Sequence, residues 1–244
     1  MIAYLRNYES ISAVPCPALC LPAMLDAARI TALLQPFLGD TSLPAELVEQ
    51  LQTYLELLLR WNARTNLTAV RDPEQIVTRH FGESLFAARL LRDAGAFAQT
   101  VGAQLMLADI GSGAGFPGLP VKMLVPDVRV TVIESHHKKA TFLREVVRAL
   151  NIRDADVFCG RAETWRHRAD VVTLRAVERF NSVLPVAANL VKSQGILCLL
   201  TGAGQVPSLS RVLASGWDLG TSAPIPQSRE QFVVMGKRSS KSER

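Results

Sequence analysis

Between Leu107 and Pro120 the chain reads LADIGSGAGFPGLP, an apolar run that breaks into four glycines, Gly111, Gly113, Gly115 and Gly118. An extended stretch that stops at glycine and restarts as a helix is the turn of an α/β sheet, where glycine lets the backbone reverse tightly and approach a ligand. Two ligand motifs overlap in it. From Gly111 the spacing is G-x-G-x-G behind Asp109, which suits a methyl donor; from Gly113 it is G-x-G-x-x-G, which suits a dinucleotide. Glu134 closes the apolar run VRVTVIE about 20 residues on and serves the ribose hydroxyls of either ligand.

Spacing leaves both ligands open, and charge separates them. A pyrophosphate at a helix N-terminus needs free N–H groups and no facing anion. Asp109 would repel it, and Pro117 and Pro120 remove donors it would use. S-adenosylmethionine instead presents an ammonium and a sulfonium, which a carboxylate at Asp109 attracts. The residues favour the methyl donor. A nicotinamide-dependent oxidoreductase built on Gly113, Gly115, Gly118 and Glu134 is the competing enzyme reading, and a non-catalytic RNA-binding protein is the competitor from another class.

Downstream, short apolar runs alternate with helix-length segments, the pattern of an α/β sheet. Strands are expected at LMLADI, VRVTVIE, DADVFC, DVVTLR and GILCLL, with a helix from Lys138 to Leu150 that turns Phe142, Val146, Val147 and Leu150 to the sheet. A helix near Ser208 to Ala214 precedes two β-like stretches, WDLGTSAPI and EQFVVMGK, placed to pair as an antiparallel hairpin at the end of the sheet. Ahead of the glycines, Pro44 opens an amphipathic helix with Leu47, Leu51, Leu55, Leu58 and Leu59 on one stripe. Asp72 as N-cap and Pro73 at the first helical position open a second, running to about Leu91, with Ile76, His80 and Ser84 along one face. The expected division is an irregular extension over 1–40, a helical segment over 41–103, an α/β domain over 104–238 and a basic tail over 239–244.

Charge and composition narrow the partners. The excess of 27 Lys+Arg over 22 Asp+Glu gives a net +5, a bias toward anionic partners. No apolar run reaches the ~18 residues that span a bilayer. Pro15, Pro17 and Pro22 interrupt the apolar N-terminal stretch and Glu9 sits where a signal peptide carries positive charge, so a cytosolic protein is expected. Cys16, Cys20, Cys159 and Cys198 lack the paired spacing of a zinc site, and His136 and His137 have no evident metal partner; no metal is expected.

Five blocks, LLLRWNARTNLTAVRDPEQIVTRHFGESL, DIGSGAGFPGLP, ESHHKKATFLREV, GRAETW and LRAV, stand in an order and spacing that resemble one bacterial family. It is the family once called glucose-inhibited division protein B, the small-subunit rRNA guanine-N7 methyltransferases, and the likeness runs from about Leu51 to Lys237. The resemblance implies a class I methyltransferase fold: a doubly wound, mostly parallel seven-stranded Rossmann-like sheet with an N-terminal helical extension. It implies S-adenosylmethionine as methyl donor and 16S rRNA, free or within the small ribosomal subunit, as substrate; a monomer is expected.

By the same resemblance, Gly111 and Phe116 line the donor beside Asp109 and Gly113, Glu134 lies on its ribose, and Ala162 and Glu163 bracket its adenine. Arg175 in LRAV reaches the site and is the candidate for substrate positioning. Arg71, Arg79 and His80 are implied on an RNA-facing surface. Phe116 and Trp165 are aromatic rings on which a target base could stack, with core or rim packing the favoured reading of both. The segment before Asp26 has no counterpart in the family pattern, and Glu178 stands where the family has a small residue.

Overall fold

The computed structural model describes residues 25–98, 104–175, 180–207, 209, 213, 216–220 and 222–240. The apolar run ahead of the glycines forms β1 (Met106–Ile110), which pairs in parallel with β2 (Arg129–Glu134) on one side and β4 (Ala169–Arg175) on the other. β3 (Ala155–Cys159) extends the sheet beyond β2, and β5 (Val191–Gly202) beyond β4. The chain thus winds outward from β1 in both directions, and the reversal beside β1 is where ligands bind in such sheets.

The C-terminal part adds antiparallel strands: β6 (Trp217–Leu219) and the two-residue β7 (Ala223–Pro224) both pair with β8 (Gln231–Arg238), which lies against β5. The order is β3-β2-β1-β4-β5-β8-β6, a path of seven strands, with β7 beside β8. The expected hairpin is therefore present, its first arm split into β6 and β7. The helix expected near Ser208 to Ala214 lies largely outside the described residues, as do Glu178, Cys16 and Cys20.

The sheet separates two cores. On one face Leu107, Val130 and Val132 pack with α1 (Ala27–Leu38), α2 (Ala45–Asn62), α4 (Glu83–Asp93), α5 (Gly118–Leu124) and α6 (His137–Ala149). On the other, Ala108, Ile110 and Ile133 pack with α7 (Phe180–Leu190). Of the segment 1–40 expected to be irregular, Ala27–Leu38 is instead helical, and residues 1–24 lie outside the described residues. Asp26 caps the helix by accepting from Arg29 N at 2.7 Å, and Ile30, Leu34, Phe37 and Leu38 form a buried stripe at helical spacing around an interior Pro36.

The second predicted helix also differs. α3 (Pro73–Ile76) starts as expected, with the Asp72 carboxylate accepting from Gln75 N at 2.8 Å, but residues Val77–Gly82 then form a π turn before α4 continues. There the Glu83 N–H reaches Thr78 O, five residues back. Arg79 O is thereby left for another donor, and π turns of this kind recur at functional sites.

Candidate active site

The loop from β1 into α5 is held open by its glycines. Gly111 and Gly113 sit at φ +65° and +57°, a region other residues avoid, and a Cβ on Gly111 would meet nothing within 4 Å. These two residues therefore border free space at the carboxyl end of β1. Gly115 and Gly118 have the opposite role. A Cβ on Gly115 would lie 2.1 Å from Tyr54 Oη, and one on Gly118 2.6 Å from Asp109 Cβ. Tyr54, fully buried on α2, donates to Ala114 O at 2.5 Å and so pins the loop from behind; burial pushes its phenol pKa up.

The two carboxylates assigned to the ligand part company. Asp109 is fully buried, accepts from Gly118 N at 3.1 Å and from Thr173 Oγ1 at 2.8 Å, and so caps α5 from below. Burial raises its pKa to about 6 against the lowering effect of the Ser112, Thr173 and Gly118 hydrogen bonds. Direct attraction of the donor's ammonium by Asp109 is thus corrected: the carboxylate faces the helix and β4. Glu134 sits higher, where one oxygen accepts from Gly113 N at 2.9 Å and the other from His136 N at 2.7 Å. Each oxygen keeps a lone pair for a hydroxyl at the rim of the glycine loop.

Gly160 N donates to Glu134 O at 3.0 Å, which brings the end of β3 alongside. The short 3-10 turn Ala162–Thr164 follows, with Ala162 buried and Glu163 exposed. Glu163 is thus on the same edge as Glu134, one strand further out.

At the end of β4, Arg175 is enclosed. Its Nη2 donates to Arg79 O at 2.5 Å and to Glu83 Oε2 at 2.7 Å, and its Nη1 lies 3.0 Å from His80 Nδ1. The other ring nitrogen, His80 Nε2, is 2.7 Å from Thr68 Oγ1. A guanidinium only donates, so Nδ1 must be the bare nitrogen and Nε2 carries the proton. Burial first, then the charges of Arg175 and Arg79, hold the His80 pKa down at about 3, and the ring is neutral. Burial raises the Glu83 pKa and lowers that of Arg175, each opposed by the ion pair between them.

This network explains why NLT, RH and LRAV occur together. Asn62 accepts from Leu67 N and Thr68 N through Oδ1 and donates to Thr68 O and Val70 O, folding the loop after α2 around one side chain. Thr68 then meets His80, and His80 meets Arg175. The carbonyl that Arg175 uses is the one freed by the π turn.

One expectation is corrected here. His80 has both ring nitrogens engaged inside the protein and stacks on Phe116 at 5.0 Å between ring centroids, so it is not an RNA contact. Phe116 also stacks on Tyr54 at 5.5 Å and is 6% exposed, and Trp165 is 6% exposed beside His167. Both rings pack within the protein, as the favoured reading of the sequence had it. Arg79 is exposed, whereas Arg71, though exposed, donates to Asn62 O at 2.7 Å and Asn66 Oδ1 at 2.5 Å. Tyr54, Glu83 and Thr68 are the functional-site residues that sequence patterns passed over. Tyr54 reads as one more apolar position of α2, and the other two are brought to Arg175 only by the tertiary fold.

Two clefts flank the site. One, of about 570 Å³, opens between the loop after α2 and the start of α6. The other, of about 410 Å³, lies between the π turn and the turn before β8 and carries both signs of charge, Arg79 and Arg229 with Glu83 and Glu230. Among the described residues no group of three or more His, Cys, Asp or Glu side chains converges as a metal site. No described helix is long and apolar enough to cross a membrane.

Comparison with known proteins gives this geometry a family. The model of GidB, rRNA small subunit methyltransferase G, matches residues 47–211. The ribosomal RNA small subunit methyltransferase G of Xylella fastidiosa (strain 9a5c) is 41% identical over 181 residues, covering 72% of this chain and 78% of its own. That of Stenotrophomonas maltophilia (strain K279a) is 36% identical over 200 residues, covering 81% and 89%. Among solved structures, a SAM dependent methyltransferase from Aquifex aeolicus superposes with a TM-score of 0.54 at 15% identity, over 71% of this chain and 97% of that one. A ribosomal protein L11 methylase from Lactobacillus delbrueckii subsp. bulgaricus gives 0.51 at 16% identity, over 65% and 79%. These two share the class I methyltransferase fold with this chain, and the closer sequence matches go further: the chain belongs to the rRNA small subunit methyltransferase G family.

Proposed function

We propose that this chain transfers a methyl group from S-adenosylmethionine to N7 of a guanine in the small-subunit rRNA. The observation that carries the reading is the open glycine turn, Gly111 and Gly113 bordering free space with Glu134 at its rim, in a chain of this family. When bound, S-adenosylmethionine supplies an electrophilic methyl on its sulfonium sulfur. Glu134 accepts the ribose hydroxyls with the lone pairs that Gly113 and His136 leave, and Ala162 and Glu163 flank the adenine on the neighbouring strand end. The backbone of the glycine turn, not the Asp109 side chain, meets the amino-acid end.

Guanine N7 carries a lone pair and no hydrogen, so no general base is required and positioning supplies the rate. The site agrees with that demand. Asp109 is sealed beneath α5, and the one bare nitrogen of His80 faces Arg175. Arg175 acts as a positioning residue: it holds the π turn against β4 and thereby sets the wall that faces the substrate.

The test is transfer of labelled methyl to deproteinised 16S rRNA and to whole small subunits, with the modified nucleoside identified. Production of 7-methylguanosine in either substrate is expected. Label in neither, or binding of NAD but not S-adenosylmethionine in equilibrium dialysis, overturns the reading.

A further inference from the structure

The cleft between the loop after α2 and the start of α6 has a charge that the donor site does not explain. Arg64, Arg71, Lys138 and Lys139 line it with His136, and no carboxylate does. Arg64 and Lys138 are exposed, and no carboxylate among the described residues forms an ion pair with either of them or with Lys139. S-adenosylmethionine carries one carboxylate against an ammonium and a sulfonium, so four cationic side chains with no facing carboxylate exceed what a donor of net positive charge calls for. The cleft on the other side of Arg175, with its two acids among two arginines, shows no comparable bias.

The walls are also held in place before any partner arrives. Trp61 Nε1 donates to Glu145 Oε2 at 3.0 Å, tying the end of α2 to α6. Arg71 spans the loop from Asn62 O to Asn66 Oδ1, so the segment that carries Arg64 is fixed on one side of the cleft while the first turn of α6 carries both lysines on the other. His136, between them, donates its N–H to Glu134, the ribose candidate, which sets the cleft next to the donor.

We propose that this cleft binds backbone phosphates of the RNA strand that carries the target base, with Arg64, Lys138 and Lys139 as the phosphate contacts and Arg71 as the residue that holds the loop of Arg64. The proposal rests on the rRNA reading of the site. Phosphate contacts bind without reading sequence and fix the register of a strand, and a cleft adjoining the donor serves to anchor the RNA while a neighbouring base is presented.

The experiment measures binding of a 16S rRNA fragment to the full chain as a function of salt, for the wild type, Lys138→Gln/Lys139→Gln, Arg64→Gln and Arg148→Gln. Arg148 is exposed in the last turn of α6, outside the cleft, and removes one charge without touching it. The double lysine variant is expected to lose at least about tenfold in affinity at moderate salt and to flatten the salt dependence by about one unit of slope per lysine. Arg64→Gln should lose about one unit of slope, Arg148→Gln should match the wild type, and S-adenosylmethionine affinity should be unchanged in all three variants. Equal losses from Arg148→Gln and the cleft variants, an unchanged slope in the double variant, or a wild type without affinity for the fragment would overturn the proposal. Methyl transfer by the wild type is read separately, so a chain that binds RNA through the cleft and methylates nothing refutes the enzymatic reading alone.

Discussion

The two sides of the site are built on different terms. On the β1–β2 side the frame is largely local: Asp109, the glycine turn and Gly118 lie within ten residues, with neutral donors from Thr173 on β4 and Tyr54 on α2 as its long-range supports. On the β4 side, Arg175 is met by residues more than 90 positions earlier, through a buried ion pair, a histidine nitrogen and a carbonyl released by the π turn. The first side is a local motif that any sheet of this kind can carry. The second is a joint between the N-terminal helices and the sheet, and it fails if either half moves.

The sharpest way to break that contrast is to remove Arg175. Arg175→Met leaves the Glu83 carboxyl buried without its cation, with both side chains under 15% exposed, and should cost about 3–5 kcal/mol in denaturant unfolding. Adding Glu83→Gln should restore most of that loss, since the unpaired charge goes with it. A neutral single variant would show that the joint carries no stability.

On the other side the effects are smaller and separable. Asp109→Asn should cost about 1.5–3 kcal/mol, the range for hydrogen bonds to a charged group, and leave donor affinity closer to wild type than Glu134→Gln does. Calorimetric titration with S-adenosylmethionine checks the ranking, and a larger affinity loss at Asp109 would return that residue to the ligand. Tyr54→Phe removes only the hydrogen bond to Ala114 O and should cost about 1 kcal/mol, with a looser glycine turn seen as faster amide exchange at Gly113 and Gly115.

A further check lies in pH. Folded His80 refuses a proton until about pH 3, whereas the unfolded chain takes it up near 6.5. Stability contributed by the neutral ring is therefore complete above about 6.5 and is lost progressively as pH falls towards 3. Asp109 acts in the opposite sense between about 6 and 3.8, because the folded state protonates it first. His80→Gln keeps an acceptor and a donor on one side chain and should flatten the acid loss in melting temperature. An unchanged pH slope would place the titration elsewhere.

The same contrast explains what was legible in the chain. Strand positions, the helix starts at Asp72 and Pro44, and the role of Gly118 in bringing α5 close to the sheet follow from local pattern, and all depend on near neighbours. Sequence put both Asp109 and Glu134 on the ligand, because each stands at or near the end of an apolar run. Register separates them: Asp109 pairs with Val132, two residues below Glu134 on the same face, so one carboxylate lies under α5 and the other rises to the turn. His80 has a polar identity that suits a surface, and only the arrival of Thr68, Phe116 and Arg175 reveals it as interior.

The π turn at Val77–Gly82 has a further consequence for chain length. An α-helix advances about 100° per residue, so one residue more or less rotates everything beyond it by that amount. Deleting a single residue from this turn would allow an unbroken α-helix, a gain in local regularity, yet it would swing Glu83 away from Arg175 or drag α3 and the 62–72 loop around with it. The segment should therefore accept no change of length, and substitution chiefly at its exposed Arg79, since Val77 and Phe81 are buried, His80 is held through both ring nitrogens and a Cβ on Gly82 would meet the Phe37 ring. Related chains that keep the Arg175 joint are expected to count the same number of residues between their equivalents of Asp72 and Glu83, however far the residues themselves have diverged.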